Sequence, residues 1–572
     1  MAALFTTPKR NDTTAGTHVA EPDVRRRIGL AHGSWRRVTR RIVVGAVCAL
    51  TVSSLLMPSV SLAAEWVKVG ETKYNAGTAA GDETGTWSWD GADDLKLNNY
   101  NGGEIQAAGK LNVNYSGNNI VTADWIEGIK ASHGKNENAE LNIQGDAGST
   151  LSVTSTEDAI LSTGNINIDG AGSVNATSTG FDAINAGGDL AIKGSGNVNA
   201  TGASDGIRAN GNITIDDSGA VTARATEDKG IGTDKNLTIK GGGTVKASSE
   251  KDAAVEAKGS LAATNASLNV NGVEYGVYAH EGITLDRANV TVRAGKGRYG
   301  GAIALFTYQD DIVVKNGSTV DAFAEGEVSA AFSTRNDRPN EKGGHIYISD
   351  SVVKAIARYV ENGDGPIPYS ENQDGETSPE PQGENIGIIA QTSEGVTPAV
   401  ISIIRSKVTA EGDTAAIFAR AMSADGKTIG TIKIENAAIQ TPEGGKVIGY
   451  RKLRDGIYEA GQAIGTGDAT VDSLYIKAVA KSTTIAPPEV AKPEDPKPDE
   501  TKPAESKPAE SKQNPKPEGS KPTKAVAASI TKAKTTGVLA ATGDTSGAAI
   551  VATVLAGTAA IAAGTMASRK RS

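Results

Sequence analysis

Five aspartates recur at a nearly constant interval and are the side chains best suited to hold a metal ion. The interval is 23 or 24 residues, and the positions are Asp158, Asp182, Asp205, Asp228 and Asp252. If each interval is one unit of a stacked repeat, these carboxylates form a column along one edge. Stacked carboxylates repel one another, so a hard cation such as Ca²⁺, which prefers oxygen ligands, would favour the column. The alternative is a structural role, in which each Asp accepts backbone N–H groups in a turn.

An aromatic cluster is the second candidate site, because only 4% of the chain is aromatic. Its members are Tyr275, Tyr278, Tyr299, Phe306 and Tyr308, and three arginines, Arg287, Arg293 and Arg298, lie among them in sequence. Aromatic faces and charged donors together can hold sugar rings, by stacking on C–H faces and hydrogen-bonding hydroxyl groups. The alternative is that a locally irregular repeat uses large side chains to fill space.

Fragments of a hydrolytic site are present but incomplete. Asp310, Asp311 and the pair Gly344-His345 resemble parts of polygalacturonase active sites, in which paired carboxylates act as acid and base. The Asn-Thr-Asp triplet expected before them and the Arg-Ile-Lys expected after them do not occur. Asp310 and Asp311 are better interpreted as a polar edge before a strand that begins at Ile312. The sequence therefore predicts no catalytic residue, and the chain is not expected to be an enzyme.

The elements that must position these residues are short strands with alternate apolar side chains. Three series recur, each about every 24 residues, typified by Ile166-x-Ile168, Val174-x-Ala176 and Ile184. Each strand can bury only one face, so successive units must stack to form a core. The period of two and the frequent glycines exclude helices. The predicted fold is all-β: a right-handed parallel β-helix solenoid with about 12 or 13 turns of about 24 residues.

The open front of such a solenoid needs a cap. Trp66, Trp87 and Trp89 precede the first regular turn, where large rings can close a core of Ile, Val and Leu. Alternation places Trp87 and Trp89 on one face of a strand, so an exposed sugar-binding platform is the other interpretation.

Charge and cysteine content restrict the partners and the compartment. The net charge is −9, and it becomes more negative when the basic ends described below are removed, so nucleic acid is not expected as a ligand. The only cysteine, Cys48, lies in the predicted leader. The mature chain therefore has neither disulfides nor a thiol nucleophile.

The amino end has the pattern of a secretory signal peptide. Nine Lys and Arg residues precede an apolar stretch over residues 42–62, and Ser61 and Ala63 occupy the positions that signal peptidase reads. Cleavage is expected after Ala63 or Ala64. Residues 1–64 are thus predicted to be removed on export.

The carboxyl end carries a second targeting pattern. Residues 547–567 are uncharged and long enough to span a bilayer as a transmembrane helix, and Arg569, Lys570 and Arg571 follow. Before them stand, in order, Leu539, Ala540, Ala541, Thr542 and Gly543. A pentapeptide, an apolar span and a basic tail resemble the cell-wall sorting signal of Gram-positive bacteria, in the LAxTG variant of the LPxTG motif. The resemblance implies that a sortase cuts between Thr542 and Gly543 and joins Thr542 to a peptidoglycan precursor.

Between head and anchor lies a proline-rich tract. Ten of the 20 prolines fall in residues 487–524, among Lys and Glu and without aromatic residues. Such a segment cannot bury a core and is expected to be disordered and extended, as a stalk that spans the wall. The predicted organisation is a signal peptide (1–64), a β-helix head (65–484), the stalk (485–538) and the sorting signal (539–572).

The head resembles a family of extracellular β-helix carbohydrate-binding domains, related in fold to pectate lyases, that occur on Gram-positive surface proteins. The matching residues run from Asp182-Ala183-Ile184 through Gly-x-Val-x-Ala, which ends at Ala200. The resemblance implies a glycan or host-surface ligand, with Ca²⁺ bound in some relatives. The expected function is a cell-surface adhesin or glycan-binding protein that touches the membrane only through its C-terminal helix before sorting. A structural or interaction protein of the envelope and a polysaccharide lyase or hydrolase are the alternatives.

Overall fold

A computed structural model describes residues 63–132, 139–295, 301–338, 343–360, 384–424, 426–454, 457–467 and 479–488. The chain divides into two units, residues 1–490 and 491–572, and every described residue belongs to the first. Within these ranges the secondary structure is β-strand, without an α-helix, and no helix there is long and apolar enough to cross a membrane. The predicted stalk and the predicted transmembrane helix at 547–567 lie outside the described residues.

The strands form three long sheets that are parallel except near their ends. The first sheet contains β1 (Trp66–Val69), β2 (Thr72–Asn75), β7 (Ile105–Ala108), β10 (Ile129–Ser132), β13 (Ile160–Ser162), β16 (Ile184–Ala186), β19 (Ile207–Ala209), β22 (Ile231–Thr233), β25 (Val255–Ala257), β28 (Tyr275–Ala279), β31 (Gly301–Thr307), β34 (Val328–Asn336), β37 (Asn385–Thr392), β40 (Ala415–Ser423), β43 (Lys446–Arg454) and β44 (Ile457–Gly465).

The second sheet contains β3 (Ala80–Gly81), β4 (Trp87–Trp89), β5 (Asp94–Asn98), β8 (Leu111–Ser116), β11 (Leu141–Gly145), β14 (Ile166–Gly170), β17 (Leu190–Lys193), β20 (Ile213–Asp216), β23 (Leu237–Lys240), β26 (Ser260–Thr264), β29 (Gly282–Asp286), β32 (Ile312–Lys315), β35 (Ile346–Ser349), β38 (Val400–Ile404) and β41 (Thr431–Glu435).

The third sheet contains β6 (Asn101–Gly102), β9 (Asn118–Ala123), β12 (Thr150–Ser155), β15 (Ser173–Ser178), β18 (Val198–Gly202), β21 (Val221–Ala225), β24 (Thr244–Ser249), β27 (Ser267–Gly272), β30 (Asn289–Gly295), β33 (Thr319–Gly326), β36 (Val352–Tyr359), β39 (Lys407–Gly412), β42 (Ala438–Thr441) and β45 (Ser482–Ala486).

From β5 to β38 the chain visits the three sheets in rotation, and each strand pairs in parallel with the strand three places later. One pass through the three sheets is called a coil below. In the second sheet, Leu190 pairs with Ile213 and Ile213 with Leu237, and all three are buried. Apolar residues therefore stack on apolar residues from coil to coil and form a continuous core. The arrangement is consistent with a β-helix solenoid, and the three strand series predicted from the sequence are confirmed.

Each coil has three turns between sheets, and two of them carry the residues considered below. The turn from the second sheet to the third places one residue at positive φ in nearly every coil, for example Asp217 (φ 47), Asn265 (φ 49) and Gly241 (φ 84). The turn from the third sheet to the first, called the third-to-first edge below, carries the aspartate series and leads directly into the first sheet.

Antiparallel strands close the front of the solenoid. β1 runs antiparallel to β7, and β4 antiparallel to β5. Trp89 is 1% exposed and Trp87 8% exposed, and both belong to the main core cluster. The capping role predicted for these two rings is confirmed, and the alternative of an exposed platform is wrong because core packing covers both.

Candidate functional site

The aspartates of the third-to-first edge divide into two groups instead of forming one column. Asp158, Asp182 and Asp205 each lie two residues before the aligned isoleucine of the first sheet, whereas Asp228 and Asp252 lie three residues before the aligned Ile231 and Val255. The prediction that all five stack in register is therefore wrong. In the turns before β22 and β25, the aspartate lies one residue earlier. In the turn before β22, Lys229 therefore occupies the position that Asp205 occupies in the preceding coil.

The first three aspartates form a ladder that links coils. Oδ1 of Asp158 accepts the backbone N–H of Asp182 at 3.0 Å, and Oδ1 of Asp182 accepts that of Asp205 at 2.8 Å. Oδ1 of Asp205 accepts the N–H of Lys229 at 2.7 Å. Each carboxylate thus satisfies a backbone donor of the next coil, which is the structural role considered from the sequence.

Burial perturbs this ladder electrostatically. Burial is the main cause that raises the pKa of Asp158 to about 6 and that of Asp205 to about 7, since it disfavours the ionised form. Burial also raises the pKa of Asp182. Arg208 forms an ion pair with this ladder, and its Nη1 lies 3.4 Å from Oδ2 of Asp205.

The last two aspartates face a cation of the protein itself. Nζ of Lys229 contacts Asp228 and lies 3.4 Å from Oδ2 of Asp252 and 3.4 Å from Oε2 of Glu256. Among the described residues no group of three or more His, Cys, Asp or Glu side chains is arranged to hold a metal ion. Calcium binding at these aspartates stays an untested alternative to the structural role, with the first group engaged by backbone donors and the second by Lys229.

The aromatic cluster is brought together on the first sheet. Tyr278 on β28 pairs across the ladder with Phe306 on β31, and their ring centroids are 5.3 Å apart. Tyr275 stacks on Phe306 at 5.5 Å. Both residues of the Tyr278–Phe306 pair directly follow core residues, Val277 and Leu305, so the rings project from the outer face of the sheet. Tyr299 and Arg298 lie outside the described residues.

Two further residues extend the aromatic cluster. His280, which the sequence analysis missed, lies 6.2 Å from Tyr278 and 5.3 Å from Tyr308, measured between ring centroids. The Tyr308 hydroxyl lies 3.4 Å from Oδ2 of Asp337, which Arg335 also binds at 2.6 Å. Phe306 is buried, whereas Tyr275, Tyr278, His280 and Tyr308 are half-buried and retain accessible surface. Burial raises the pKa of Tyr278 to about 12, so its hydroxyl stays a hydrogen-bond donor at neutral pH.

The described arginines near this cluster in sequence lie elsewhere in space. Arg293, on β30 of the third sheet, pairs with Asp321 at 3.0 Å. Arg287 occupies a second-to-third turn at φ 50 and binds Oδ1 of Asn265 at 2.7 Å. Their expected proximity to the rings is wrong, because neighbours in sequence fall on different sheets.

The fragments that resemble a hydrolytic site serve to join coils. Oδ1 of Asp311 accepts the backbone N–H of His345 at 2.9 Å, and Nδ1 of His345 accepts the N–H of Val400 at 3.1 Å. Asp310 and Asp311 therefore lie directly before β32 as a polar segment, as expected from the sequence.

Four aromatic residues that the sequence did not single out are exposed, namely Trp125, Phe181, Tyr347 and Tyr359, and the first two are the most exposed. Trp125 is 86% exposed and Phe181 is 50% exposed, and both lie on the third-to-first edge. The sequence signal that could have found them is an aromatic residue between strands, outside the alternating pattern.

The structure describes the predicted signal-peptide cleavage site but not the predicted sortase site. Ala63 forms an isolated parallel bridge with Lys110, and Ala64 is 1% exposed within the core cluster. Leu539, Ala540, Ala541, Thr542 and Gly543 lie outside the described residues.

Comparison of the chain with family models, with curated proteins and with solved structures found no match.

Proposed function

We propose that this protein is a secreted glycan-binding adhesin of a Gram-positive cell surface. The observation that carries the proposal is the aromatic cluster on the outer face of the first sheet. Tyr278, His280 and Tyr308 form a continuous half-buried row with ring distances of 5.3 to 6.2 Å. A rigid row of rings beside hydroxyl and carboxylate groups suits the C–H faces and hydroxyls of a sugar.

The supporting polar groups are held in place before any ligand arrives. Asp337 is fixed by Arg335 and lies against the Tyr308 hydroxyl. Since these side chains need little reordering, the entropic cost of binding is reduced. The net charge of −9 favours a neutral or cationic ligand over a polyanion.

The remaining parts of the proposal concern display. The head is a right-handed β-helix of 12 or 13 coils, consistent with the general handedness of parallel crossovers. The proline-rich stalk carries it outward, and sortase joins Thr542 to peptidoglycan after the signal peptide is removed. The sorting pentapeptide and the basic tail in the sequence support this anchoring.

The test of ligand binding is a glycan array probed with the secreted protein and two variants, Tyr278→Ala and Tyr308→Ala. Each variant is expected to lose about tenfold in affinity for any glycan bound by the wild type, the value of one aromatic contact with its hydrogen bonds. Tyr359→Ala is the matched control, because Tyr359 is 40% exposed on the third sheet. Unchanged binding by both cluster variants would refute the site, and absence of any bound glycan would refute the function.

The test of anchoring is mass spectrometry of muramidase-released wall fragments. A peptide that ends at Thr542 and carries a peptidoglycan stem peptide is expected. A mature chain that retains residues 543–572 would contradict sortase processing. A structural envelope protein without a sugar site is the second candidate, favoured if anchoring holds and the array is blank.

A further inference from the structure

Trp125 is the most exposed large apolar side chain among the described residues. It is 86% exposed, and the next most exposed aromatic ring, Phe181, is 50% exposed. Full exposure of an indole ring forfeits the gain that its burial would bring to folding, roughly 2 to 3 kcal/mol for a side chain of this size. Packing therefore does not explain this residue.

The two rings lie on the same edge of the solenoid, two coils apart. Trp125 lies four residues before Ile129 of β10 and Phe181 three residues before Ile184 of β16, and the pairing of both isoleucines with Ile160 places one coil between them. Adjacent parallel strands are about 4.8 Å apart, so the two turns are separated by roughly 10 Å along the axis. The intervening turn has the small side chain of Thr156 and no ring.

The backbone holds Trp125 in an unusual conformation. Its φ is 62°, in the left-handed region, which costs a non-glycine residue of order 1 kcal/mol or more. The other non-glycine residues with positive φ in the described chain all lie in second-to-third turns, where Asn and Asp predominate. The N–H of Trp125 donates to Oγ1 of Thr156 in the next coil at 2.7 Å, which constrains the backbone of this turn.

The surroundings of the rings are polar and acidic. Asp124 is exposed beside Trp125, and Glu157 and Asp158 are part-exposed in the coil between the rings. Glu127 is paired with Lys130 at 2.6 Å. Two separate rings among carboxylates suit a ligand that has both C–H faces and many hydroxyl groups, whereas a lipid or an apolar protein surface would need a continuous apolar patch.

We propose that Trp125 and Phe181 form a second glycan-binding site, called the edge site, for a neutral, extended β-linked polysaccharide that lies along the solenoid axis. An extended β-1,4-linked chain repeats every two sugars, and this repeat is about as long as two coil rises. The axial spacing of the two turns therefore lets the rings stack on alternate sugars, and Glu157 of the middle coil accepts a hydrogen bond from the sugar between them. This inference rests on the proposed glycan-binding function and adds the ligand class and a separate site.

The experiment is affinity electrophoresis of the secreted protein through gels that contain hydroxyethyl cellulose, β-1,4-mannan or soluble starch. Retardation is expected with a β-1,4-linked polymer and not with starch, whose α-linked chain coils. Trp125→Ala and Phe181→Ala are each expected to weaken binding about tenfold. Tyr359→Ala is the control for loss of an exposed ring. Since Ala tolerates the left-handed region about as poorly as Trp, Trp125→Ala is not expected to change folding, and circular dichroism checks this.

Chain length and fluorescence supply a second measurement. A tetrasaccharide of the bound polymer is expected to bind at least tenfold more tightly than the disaccharide, because only the longer ligand reaches both rings. Iodide should quench Trp125 more than the other rings, since Trp87 and Trp89 are buried and Trp66 is half-buried, and a bound tetrasaccharide should reduce the quenching in the wild type but not in Trp125→Ala.

The outcomes separate the two proposals. If the wild type binds a polymer, loss by Tyr278→Ala together with no effect of Trp125→Ala and Phe181→Ala would refute the edge site alone. Preference for starch, or equal affinity for disaccharide and tetrasaccharide, would also refute it. A protein that binds no polysaccharide at all would refute both the edge site and the glycan-binding function.

Discussion

Replacement of Asp205 by Asn is expected to remove part of the pH dependence of the free energy of unfolding. Asp205 is 1% exposed, and burial raises its pKa from 3.8 to about 7. The folded state therefore binds this proton more tightly than the unfolded state. The resulting stabilisation is complete below pH 3.8 and is lost as the pH rises through 7. About three pKa units at 1.36 kcal/mol each correspond to a loss on the order of 4 kcal/mol.

The Asn side chain keeps the geometry and removes the titration. Its amide oxygen can accept the N–H of Lys229, as Oδ1 of Asp205 does at 2.7 Å. Urea unfolding should be followed by circular dichroism between pH 4.5 and pH 8.5. Relative to the wild type, Asp205→Asn is expected to gain stability progressively up to about pH 7, the pKa of Asp205 in the folded state, and to level off above it.

The control for this measurement is Asp189→Asn. Oδ1 of Asp189 also accepts a backbone N–H from the next coil, that of Asn212 at 2.6 Å, but Asp189 is exposed. The stability difference between this variant and the wild type should change little with pH. A difference between Asp205→Asn and wild type that stays constant, or that grows more unfavourable at alkaline pH, would refute the argument from burial.

Three further predictions concern the front of the solenoid, coil packing and metal binding. The secreted chain should begin at Ala64, which is 1% exposed and lies beside Asp93. Oδ1 of Asp93 is buried without a hydrogen-bond partner and would face the new α-ammonium group of Ala64. N-terminal sequencing that finds residue 65 first would contradict this prediction. Gly196→Ala should destabilise the head by about 1 to 3 kcal/mol in urea unfolding, because its Cβ would lie 2.0 Å from a backbone oxygen of the preceding coil. Gly242→Ala, whose Cβ meets nothing within 4 Å, is the matched control and should fold as the wild type does; equal effects of the two changes would count against this packing argument. Calcium should leave the thermal unfolding midpoint unchanged, since the aspartates of the third-to-first edge already have protein partners, and a rise in the midpoint that depends on calcium concentration would restore the metal hypothesis.

The strands were predictable because the core imposes a simple rule on the sequence. An inward position must carry an apolar side chain in every coil, so Ile166, Leu190 and Ile213 are visible as a series without any structural information. The aspartate ladder was less predictable. Its spacing of 23 or 24 residues conceals a one-residue change of position between Asp205 and Asp228, which becomes visible only when the turns are aligned on the isoleucines that follow them.

The aromatic cluster shows a different limit of prediction from sequence. Three sheets share each coil, so residues six to ten apart in sequence project in different directions, as Tyr278 and Arg287 do. Tyr278 and Phe306 are 28 positions apart and yet are direct neighbours across the ladder. In a solenoid, residues one repeat apart in sequence are therefore neighbours in space, and candidate sites must be sought among aligned positions of successive coils instead of among sequence neighbours.

The columns also indicate where function can lie in such a fold. Where a polar residue repeats in every coil, its hydrogen-bonding capacity is taken up by the next coil, as in the ladder from Asp158 to Lys229. Such positions stabilise stacking and have little left to offer a ligand. A residue that interrupts its column has no matching partner above or below, so its surface stays available. Trp125 at positive φ and Phe181, separated by a coil that has no ring, are interruptions of this kind, and for that reason the edge site is a stronger candidate for recognition than the more regular aspartates beside it.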